Sequence, residues 1–321
     1  MLSRPVVIVT EPIHPDAMAL LSAHADARVA PGWDEESLLS CIGDAEGVIV
    51  RGLGAFTRRL FEAAPRLRIV ARHGAGYDNV DLEAARDHGV IVTNTPDATT
   101  ASVAEHTLAL LLAVARRVAL GDRGLRAGDW GVRERCTGID LAGRTLGVIG
   151  FGRIGRRVAA LCHHGLGMEV VYHDVQPLPA DPQLPARCLA LEDLLAAADA
   201  ITLHVTLGPS TRHLIGRREL ALVKPSAILI NASRGPVVDE AALLEALQAG
   251  RLGGAGLDVF EEEPVRGVHP LCAFENVVLT PHIASQTPQT RRQMAMDAVE
   301  NVLAVLAGQR PKYPVPGCEG N

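Results

Sequence analysis

Short apolar runs alternate along the whole chain with longer stretches in which apolar residues recur every three or four positions. Apolar runs rich in Val and Ile and bounded by turn residues are typical of buried strands, whereas the longer spacing is typical of amphipathic helices. Strands that alternate with helices predict parallel sheets joined by right-handed crossovers. The pattern therefore predicts an α/β fold whose sheets are covered on both faces.

The predicted strands form two sets, because together they are too many for one ordinary sheet. The first set is Val6–Val9, Arg28–Ala30, Gly47–Val50, Arg68–Ala71 and Val90–Thr93. The second set is Thr145–Ile149, Val170–His173, Ala200–Leu203, Ala227–Asn231, Ala255–Val259 and Val277–Leu279. The helical patterns between them are Pro15–His24, Asp81–Asp87, Arg153–His163, Leu191–Ala198 and Glu240–Ala249.

Two longer helical patterns indicate where the chain passes between domains. Ser102–Val118 is strongly apolar and separates the two sets of strands, and Pro288–Leu306 follows the last strand and is expected to return to the first domain. We therefore predict two doubly wound parallel-sheet domains, with the active site in the cleft between them. The substrate domain is expected to comprise residues 1–98 and 288–321, and the cofactor domain residues 99–287.

Composition narrows the class of protein. The net charge is −6, aromatic residues make up 3% of the chain and no Lys/Arg run is present, so no nucleic-acid partner is expected. The longest uncharged apolar stretch near the middle, Thr107–Ala115, is far shorter than the about 20 residues that span a bilayer, and no signal-peptide core begins the chain. The six scattered cysteines include no Cys-x-x-Cys pair. We expect a cytoplasmic protein without a metal site.

A glycine motif follows the first strand of the second set. Gly150, Gly152 and Gly155 read G-x-G-x-x-G between an apolar strand and the start of a helix. In a dinucleotide-binding turn the first glycine permits the tight bend, the second lets the backbone approach a pyrophosphate, and the third lets helix and strand pack closely. The helix N-terminus then offers unpaired N–H groups to the phosphates.

An acidic residue stands at the position that this motif requires. Asp174 ends the next predicted strand, 19 residues after Gly155. A carboxylate at about this distance accepts hydrogen bonds from the ribose 2′-OH of NAD, and it would repel the 2′-phosphate of NADP. The sequence therefore predicts an NAD-binding domain of the Rossmann type.

Charged residues follow three successive strands of the second set. Arg234 comes after the strand that ends at Asn231, Glu261–Glu263 after the strand that ends at Val259, and His282 after Leu279. Ligands of such domains bind at the carboxyl ends of the strands. A guanidinium can hold a carboxylate with two hydrogen bonds, a histidine can donate a proton near neutral pH, and a neighbouring carboxylate favours its protonated form. This set of groups suits the reduction of a keto acid.

The sequence resembles the D-isomer-specific 2-hydroxyacid dehydrogenases, a family that includes phosphoglycerate dehydrogenases and hydroxypyruvate/glyoxylate reductases. The likeness covers essentially the whole chain. The motifs that carry it are Arg72–Asp81 (RHGAGYDNVD), Ser102–His106 (SVAEH), Gly150–Gly155 (GFGRIG), Asn231–Glu240 (NASRGPVVDE), Gly256–Pro264 (GLDVFEEEP) and Thr280–Ser285 (TPHIAS).

The resemblance implies roles for particular residues. It makes Arg234 the holder of the substrate carboxylate, His282 the acid/base and Glu263, the glutamate before Pro264, its partner. It implies that Gly74, Ala75 and Gly76 face the substrate through their backbone. The residues expected to contact the cofactor are Gly150, Gly152, Arg153, Ile154, Gly155, Asp174, Ala232, Ser233, Asp258 and Ser285. It further implies a Rossmann cofactor domain, a flavodoxin-like substrate domain and a homodimer formed through the cofactor domain.

The sequence departs from the family pattern at His73, which stands where small residues are common. The Gly74–Gly76 loop lacks the lysine expected of the phosphite-oxidising relatives, which argues against that activity. Two alternative functions remain open. A D-3-phosphoglycerate dehydrogenase without the regulatory domain is one alternative, in which Arg51 would meet a phosphate. An NADH-sensing corepressor-like binding protein, which shares the fold and the triad, is another. The expectation that fits best is an NAD-dependent enzyme acting on a small D-2-hydroxy acid of the hydroxypyruvate/glyoxylate type.

Overall fold

The computed structural model describes residues 4–176 and 181–320. The chain divides into two compact units, one made of residues 1–99 and 285–321 and the other of residues 100–284.

The elements follow one another in the alternation that the sequence predicts. The first unit begins with β1 (Val6–Val9), α1 (Pro15–His24), β2 (Asp26–Val29), α2 (Glu35–Leu39), β3 (Gly47–Val50), α3 (Arg58–Ala63), β4 (Ile69–Arg72), α4 (Leu82–Asp87) and β5 (Ile91–Thr93). The second unit contains α5 (Thr100–Ala115), α6 (Val118–Arg126), β6 (Thr145–Ile149), α7 (Arg153–Leu166), β7 (Glu169–His173), β8 (Ala186–Cys188), α8 (Leu191–Ala197), β9 (Ala200–Leu203), α9 (Arg217–Leu220), β10 (Ile228–Asn231), α10 (Glu240–Gln248), β11 (Gly254–Leu257) and β12 (Val277–Leu279). Helix α11 (Pro288–Leu306) belongs to the first unit.

The described part of the first unit forms a five-stranded parallel sheet in the order β2-β1-β3-β4-β5. This is the flavodoxin-like order of a doubly wound domain. Helices α1 and α11 cover one face, where Val7 and Ile49 of the sheet pack against Ala298 and Val302 of α11. The other face packs against a separate apolar cluster that includes Phe56 and Phe61.

Within the described residues, the second unit forms a seven-stranded parallel sheet in the order β12-β11-β10-β9-β6-β7-β8. From β6 the chain first adds strands on one side, then returns to add β9 to β12 on the other. The strand order therefore reverses between β6 and β9, and ligands of open α/β sheets bind outside the carboxyl ends of the strands at such a point. The predicted fold class, with a Rossmann-type domain and a flavodoxin-like domain, is confirmed.

Local capping explains several helix boundaries. The carboxylate of Asp239 accepts a hydrogen bond from the N–H of Ala242 (3.0 Å) at the start of α10. Helix α11 begins with Thr287 as its cap and Pro288 in its first turn, where a missing N–H costs nothing. Helix α7 ends where Gly167 adopts a left-handed conformation with φ 67°.

Two parts of the predicted element pattern were wrong. The helix expected over Ser102–Val118 ends at Ala115, because Arg117 adopts a left-handed φ of 56° and α6 begins at Val118 as a separate helix. Strand β8 was not predicted, since Ala186–Cys188 lacks an apolar run and lies at the exposed edge of the sheet. Among the described residues, no helix is long and apolar enough to cross a membrane.

Candidate active site

The glycine motif forms the turn between β6 and α7. Gly150 has a left-handed φ of 88°, and a Cβ there would lie 2.7 Å from the backbone of His204, which follows β9. A Cβ on Gly155 would lie 2.2 Å from the carbonyl oxygen of Gly150. Both positions therefore require glycine, and the turn lies where the strand order reverses.

The geometry of this turn fits a dinucleotide. Gly152 is the N-cap of the 14-residue helix α7, and a Cβ there would meet nothing within 4 Å, so a phosphate can approach its backbone. Arg153 is the first residue of α7, and Ile154 is partly buried against the apolar core beneath it. The N–H groups of the first helical turn and the helix dipole favour an anion at this end.

Asp174 lies directly after β7, beside the glycine turn. Its Oδ2 accepts a hydrogen bond from the N–H of Phe151 (2.7 Å), and its Oδ1 accepts one from the N–H of Gln176 (3.1 Å). The carboxylate is thereby held next to the turn that would receive the pyrophosphate. This is the placement that a ribose-binding carboxylate requires.

The loop after β10 carries Arg234. Asn231, which is 1% exposed, accepts hydrogen bonds at Oδ1 from the N–H (3.0 Å) and the hydroxyl (2.8 Å) of Ser233. Its Nδ2 donates to the carbonyl oxygen of Arg234 (2.9 Å). One buried side chain thus fixes the backbone of the loop, including Ala232, and Arg234 donates from Nη1 to the carbonyl of Ser233 (2.8 Å).

Glu263 and His282 are in direct contact. Nδ1 of His282 lies 2.7 Å from Oε2 of Glu263, while Oε1 of Glu263 accepts the N–H of Phe260 at 2.9 Å. The ring nitrogen that faces the carboxylate carries a hydrogen in this arrangement, which leaves Nε2 for another partner. The side chain of His282 is 47% exposed, so a ligand can reach Nε2.

The environment of Glu263 favours its charged form. Burial alone would raise the pKa of this carboxyl, but the hydrogen bond and charge of His282, the N–H of Phe260 and the nearby charge of Arg234 outweigh burial and lower it. Glu263 is therefore ionised at neutral pH, and its negative charge lies against Nδ1 of His282. Because the charge of Arg234 also lowers the pKa of this carboxyl, the side chains of Arg234, Glu263 and His282 lie near one another.

Asp258 directly follows β11 and is fully buried. Burial would raise the pKa of its carboxyl, but hydrogen bonds from His106 and Thr280 and from the N–H groups of Ile283 and Ala284 outweigh that effect and lower it. The carboxylate is therefore bound to the loop that carries His282. Further along the same loop, the carbonyl of Ser285 accepts the N–H of Thr287 (3.0 Å).

The Gly74–Gly76 segment lies in the first unit, after β4. Gly74 has a left-handed φ of 145°, and a Cβ there would lie 2.7 Å from Nη1 of Arg72. Its N–H is engaged by the hydroxyl of Thr95 (2.9 Å). Among residues 4–176 and 181–320, no acceptor is found for the N–H groups of Ala75 and Gly76. These two backbone donors are therefore the ones that can bind an anion.

The sequence left the roles of Arg51 and His73 open, and the structure shows what surrounds each side chain. Nη1 of Arg51 lies 3.6 Å from Oε2 of Glu11 and donates to the carbonyl of Pro12 (2.9 Å), so its charge is already partly compensated. His73 is buried, and burial together with the charges of Arg51 and Arg72 lowers its pKa to about 3. His73 is therefore neutral at physiological pH.

Sequence reasoning assigned no role to three polar residues of the site: Asn231, His106 and Thr280. Each lies within a motif that carried the resemblance, yet the contacts that define it join distant parts of the chain. The one available signal was a polar residue at the end of an apolar strand, as at Asn231. In the described parts of the chain, no group of three or more His, Cys, Asp or Glu side chains is arranged to hold a metal ion.

Comparisons with known proteins place the chain in a family. Residues 108–284 match the family model described as D-isomer specific 2-hydroxyacid dehydrogenase, NAD binding domain. The chain is 44% identical to a glyoxylate reductase of Aeropyrum pernix over 97% of its own length and 95% of that protein. It is 42% identical to a D-3-phosphoglycerate dehydrogenase of Methanocaldococcus jannaschii over 94% of its own length, but it spans only 58% of that relative.

A solved structure extends the likeness to the whole fold. An NADPH-dependent glyoxylate/hydroxypyruvate reductase from Sinorhizobium meliloti, solved with NADP and malonate, is 34% identical to this chain with a TM-score of 0.89. The match covers 99% of each chain.

Proposed function

The chain belongs to the D-isomer-specific 2-hydroxyacid dehydrogenase family, and we propose that it reduces glyoxylate or hydroxypyruvate to the corresponding D-2-hydroxy acid with NADH. The observation that carries this proposal is the 2.7 Å contact between Glu263 and His282, with the charge of Arg234 close enough to affect the same carboxyl. A carboxylate anchor, a proton donor and an orienting carboxylate are the groups that reduction of a 2-keto acid requires.

The proposed reaction adds one hydride and one proton to the keto acid. A nicotinamide cofactor held at the Gly150–Gly155 turn would supply the hydride for C2 of the keto acid. Nε2 of protonated His282 donates a proton to the keto oxygen, which becomes the hydroxyl of the product. The hydrogen on Nδ1 stays on the ring and is donated in a hydrogen bond to Glu263, whose charge stabilises the imidazolium before transfer and keeps the ring oriented.

Arg234 is the proposed anchor of the substrate carboxylate, since a guanidinium can bind both of its oxygens. The backbone N–H groups of Ala75 and Gly76 are proposed as further donors to the substrate anion, with Gly74 shaping their loop through its left-handed backbone. In this proposal residues 100–284 serve as the cofactor domain and residues 1–99 with 285–321 as the substrate domain.

We also propose that the enzyme prefers NADH to NADPH. The support is the carboxylate of Asp174, which is held beside the glycine turn and carries a charge that repels a 2′-phosphate. Arg153, Ile154, Ala232, Ser233, Asp258 and Ser285 remain proposed neighbours of the cofactor by resemblance.

A homodimer formed through the second unit is the proposed assembly. Three large apolar side chains between residues 118 and 130 are exposed: Val118 is 57%, Leu125 61% and Trp130 74% exposed. Apolar side chains exposed in this way mark interaction surfaces. Light scattering of the wild type and of Trp130→Ser tests the assembly: a dimer that weakens in the variant is expected, and a wild-type monomer contradicts it.

We place the enzyme in the cytoplasm because its six cysteines, all within the described residues, are free thiols.

Substrate assignment is tested by NADH oxidation with a panel of glyoxylate, hydroxypyruvate, pyruvate and phosphohydroxypyruvate. We expect the highest kcat/KM for glyoxylate or hydroxypyruvate, with D-glycerate as the product of the latter. Arg51→Gln is the matched variant, because Arg51 is already paired with Glu11 and should affect unphosphorylated substrates little. A preference for phosphohydroxypyruvate that is lost in Arg51→Gln would instead establish the phosphoglycerate alternative.

A further inference from the structure

The loop that carries His282 has a strained backbone. His282 has a φ of 53°, in the left-handed region where the Cβ of a residue other than glycine crowds the backbone. Such a conformation persists only where surrounding contacts impose it. The contacts that hold His282 therefore bear directly on the direction in which its ring points.

These contacts converge on one residue. The carbonyl oxygen of Asp258 accepts the N–H of His282 at 2.7 Å. Its Oδ1 accepts the hydroxyl of Thr280 (2.6 Å) and the N–H of Ile283 (2.9 Å), and its Oδ2 accepts the N–H of Ala284 (2.8 Å). Asp258 thus binds the chain before His282, at His282 and after it.

A second side chain, that of His106, holds Asp258 in place. Nε2 of His106, on α5, lies 3.3 Å from Oδ1 of Asp258 and 3.0 Å from the hydroxyl of Thr280. The hydroxyl donates to Asp258, so it accepts from His106, and Nε2 of His106 therefore carries the hydrogen. His106 is partly buried, with 19% of its side chain exposed, and Asp258 is fully buried.

We propose that Asp258, fixed in turn by His106, is a positioning residue that holds His282 in its left-handed conformation and thereby aims its ring at Glu263 and the substrate. This inference rests on the proposed function, since it assigns residues that serve the proton donor of that reaction. This role is additional to the cofactor contact proposed above for Asp258 by resemblance, because a carboxylate has about four acceptor sites and can hold these protein donors together with a further one.

Matched variants at His106 test the proposal with little change in shape. In His106→Gln the amide nitrogen can occupy the place of Nε2 and still donate, whereas His106→Leu removes the donor. We expect kcat to fall about 10-fold to 100-fold in His106→Leu, because small misplacement of a reacting group has effects of that size. His106→Gln should recover most of the loss, and the Kd of NADH should be nearly unchanged in both variants.

Asp258→Asn provides a second test, because it keeps the size but offers one acceptor oxygen where the carboxylate uses two. Its effect on kcat should be much less than additive with that of His106→Leu, since both changes release the same loop. Tm is measured for each variant so that global unfolding is recognised. If Asp258→Asn does not fold, the His106 pair decides the question.

A crystal structure of His106→Leu gives a readout that does not depend on activity. We expect His282 to leave the left-handed region or its Nδ1 to move away from Glu263. Equal kcat in wild type and His106→Leu, or weaker NADH binding with kcat preserved in Asp258→Asn, would overturn the proposal. A wild type that reduces no keto acid would refute the proposed function instead. The structure of His106→Leu would still show whether Asp258 and His106 keep His282 in its left-handed conformation.

Discussion

Nδ1 of His282 and Oε2 of Glu263 lie 2.7 Å apart, although the two residues are 19 positions apart in the chain and follow different strands. The same carboxylate is fixed from its other side by the N–H of Phe260. Glu263 can therefore orient the imidazole without moving itself, which is the property that a partner of a proton donor needs.

Removing the charge of Glu263 should change the pH dependence of the reaction. Glu263→Gln keeps the size of the side chain but no longer favours protonated His282, and reduction requires that protonated form. The alkaline limb of the kcat/KM profile for hydroxypyruvate should therefore move to lower pH. Profiles of the wild type and the variant are compared directly, and an alkaline limb that stays in place would show that Glu263 is not coupled to the titrating acid.

Loss of the guanidinium should affect the substrate more than the cofactor. Arg234→Ala should raise the KM for keto acid strongly, since a hydrogen bond to a charged group contributes about 1.5–3 kcal/mol. The Kd of NADH should remain nearly unchanged. Arg234→Lys is the matched control, which keeps the charge without the two-pronged geometry and should fall between wild type and Arg234→Ala. An unchanged KM combined with lost NADH binding would contradict the assignment.

Cofactor preference should depend on the charge of Asp174. Because its Oδ2 also accepts the N–H of Phe151, Asp174→Ala would disturb the glycine turn as well as remove the charge. Asp174→Asn keeps an acceptor and is the cleaner variant. We expect wild type to have a higher kcat/KM with NADH than with NADPH, and Asp174→Asn to narrow that ratio. Equal efficiency in the wild type would show that the carboxylate does not face the 2′ position.

His73 should make the protein sensitive to acid. The folded chain protonates this residue only near a pKa of about 3, against 6.5 for an ordinary histidine, because of burial and the charges of Arg51 and Arg72. Its stabilising contribution is complete above pH 6.5 and is lost as the pH falls towards 3, since the unfolded chain binds the proton first.

Between pH 7 and pH 5 this linkage amounts to about 2 kcal/mol, which corresponds to a few degrees in Tm. His73→Gln does not titrate in this range, so its Tm should fall less than that of wild type over the same interval. Calorimetry at both pH values measures the difference. Parallel decreases in Tm would show that His73 is not the titrating group.

Much of the fold could be predicted because its elements are set by local patterns. The bounds of β1, β3, β6, α1 and α11 agree with the apolar runs and capping residues of the sequence. Strand β8 could not be found in this way, since an exposed edge strand has no buried face to impose an apolar pattern. The break at Arg117 was also missed, because nothing in the local sequence favours a left-handed residue there.

The candidate site likewise combines residues that local sequence patterns indicate with contacts that they do not. Positions after the strands of the second unit pointed to Arg234, Glu261–Glu263 and His282, since the carboxyl ends of parallel strands meet at one edge of a sheet, and the family resemblance then selected Glu263. The contacts of Asp258 with His106 and Thr280 join three separate segments, and they depend on packing that no local pattern encodes. Resemblance drew attention to the motifs, but only the structure gives the geometry within them.

The most direct test is the rate of NADH-dependent hydroxypyruvate reduction by wild type and by His282→Gln, measured at saturating substrate. His282→Gln retains a polar side chain but cannot deliver a proton as imidazolium, and its NADH binding should persist because the Gly150–Gly155 turn is untouched. We predict that wild type turns over and that kcat falls by about 10²–10⁴ in the variant, the range for a positioned acid. Near-normal turnover in His282→Gln, or NADH binding by wild type without turnover of any keto acid, would contradict the account.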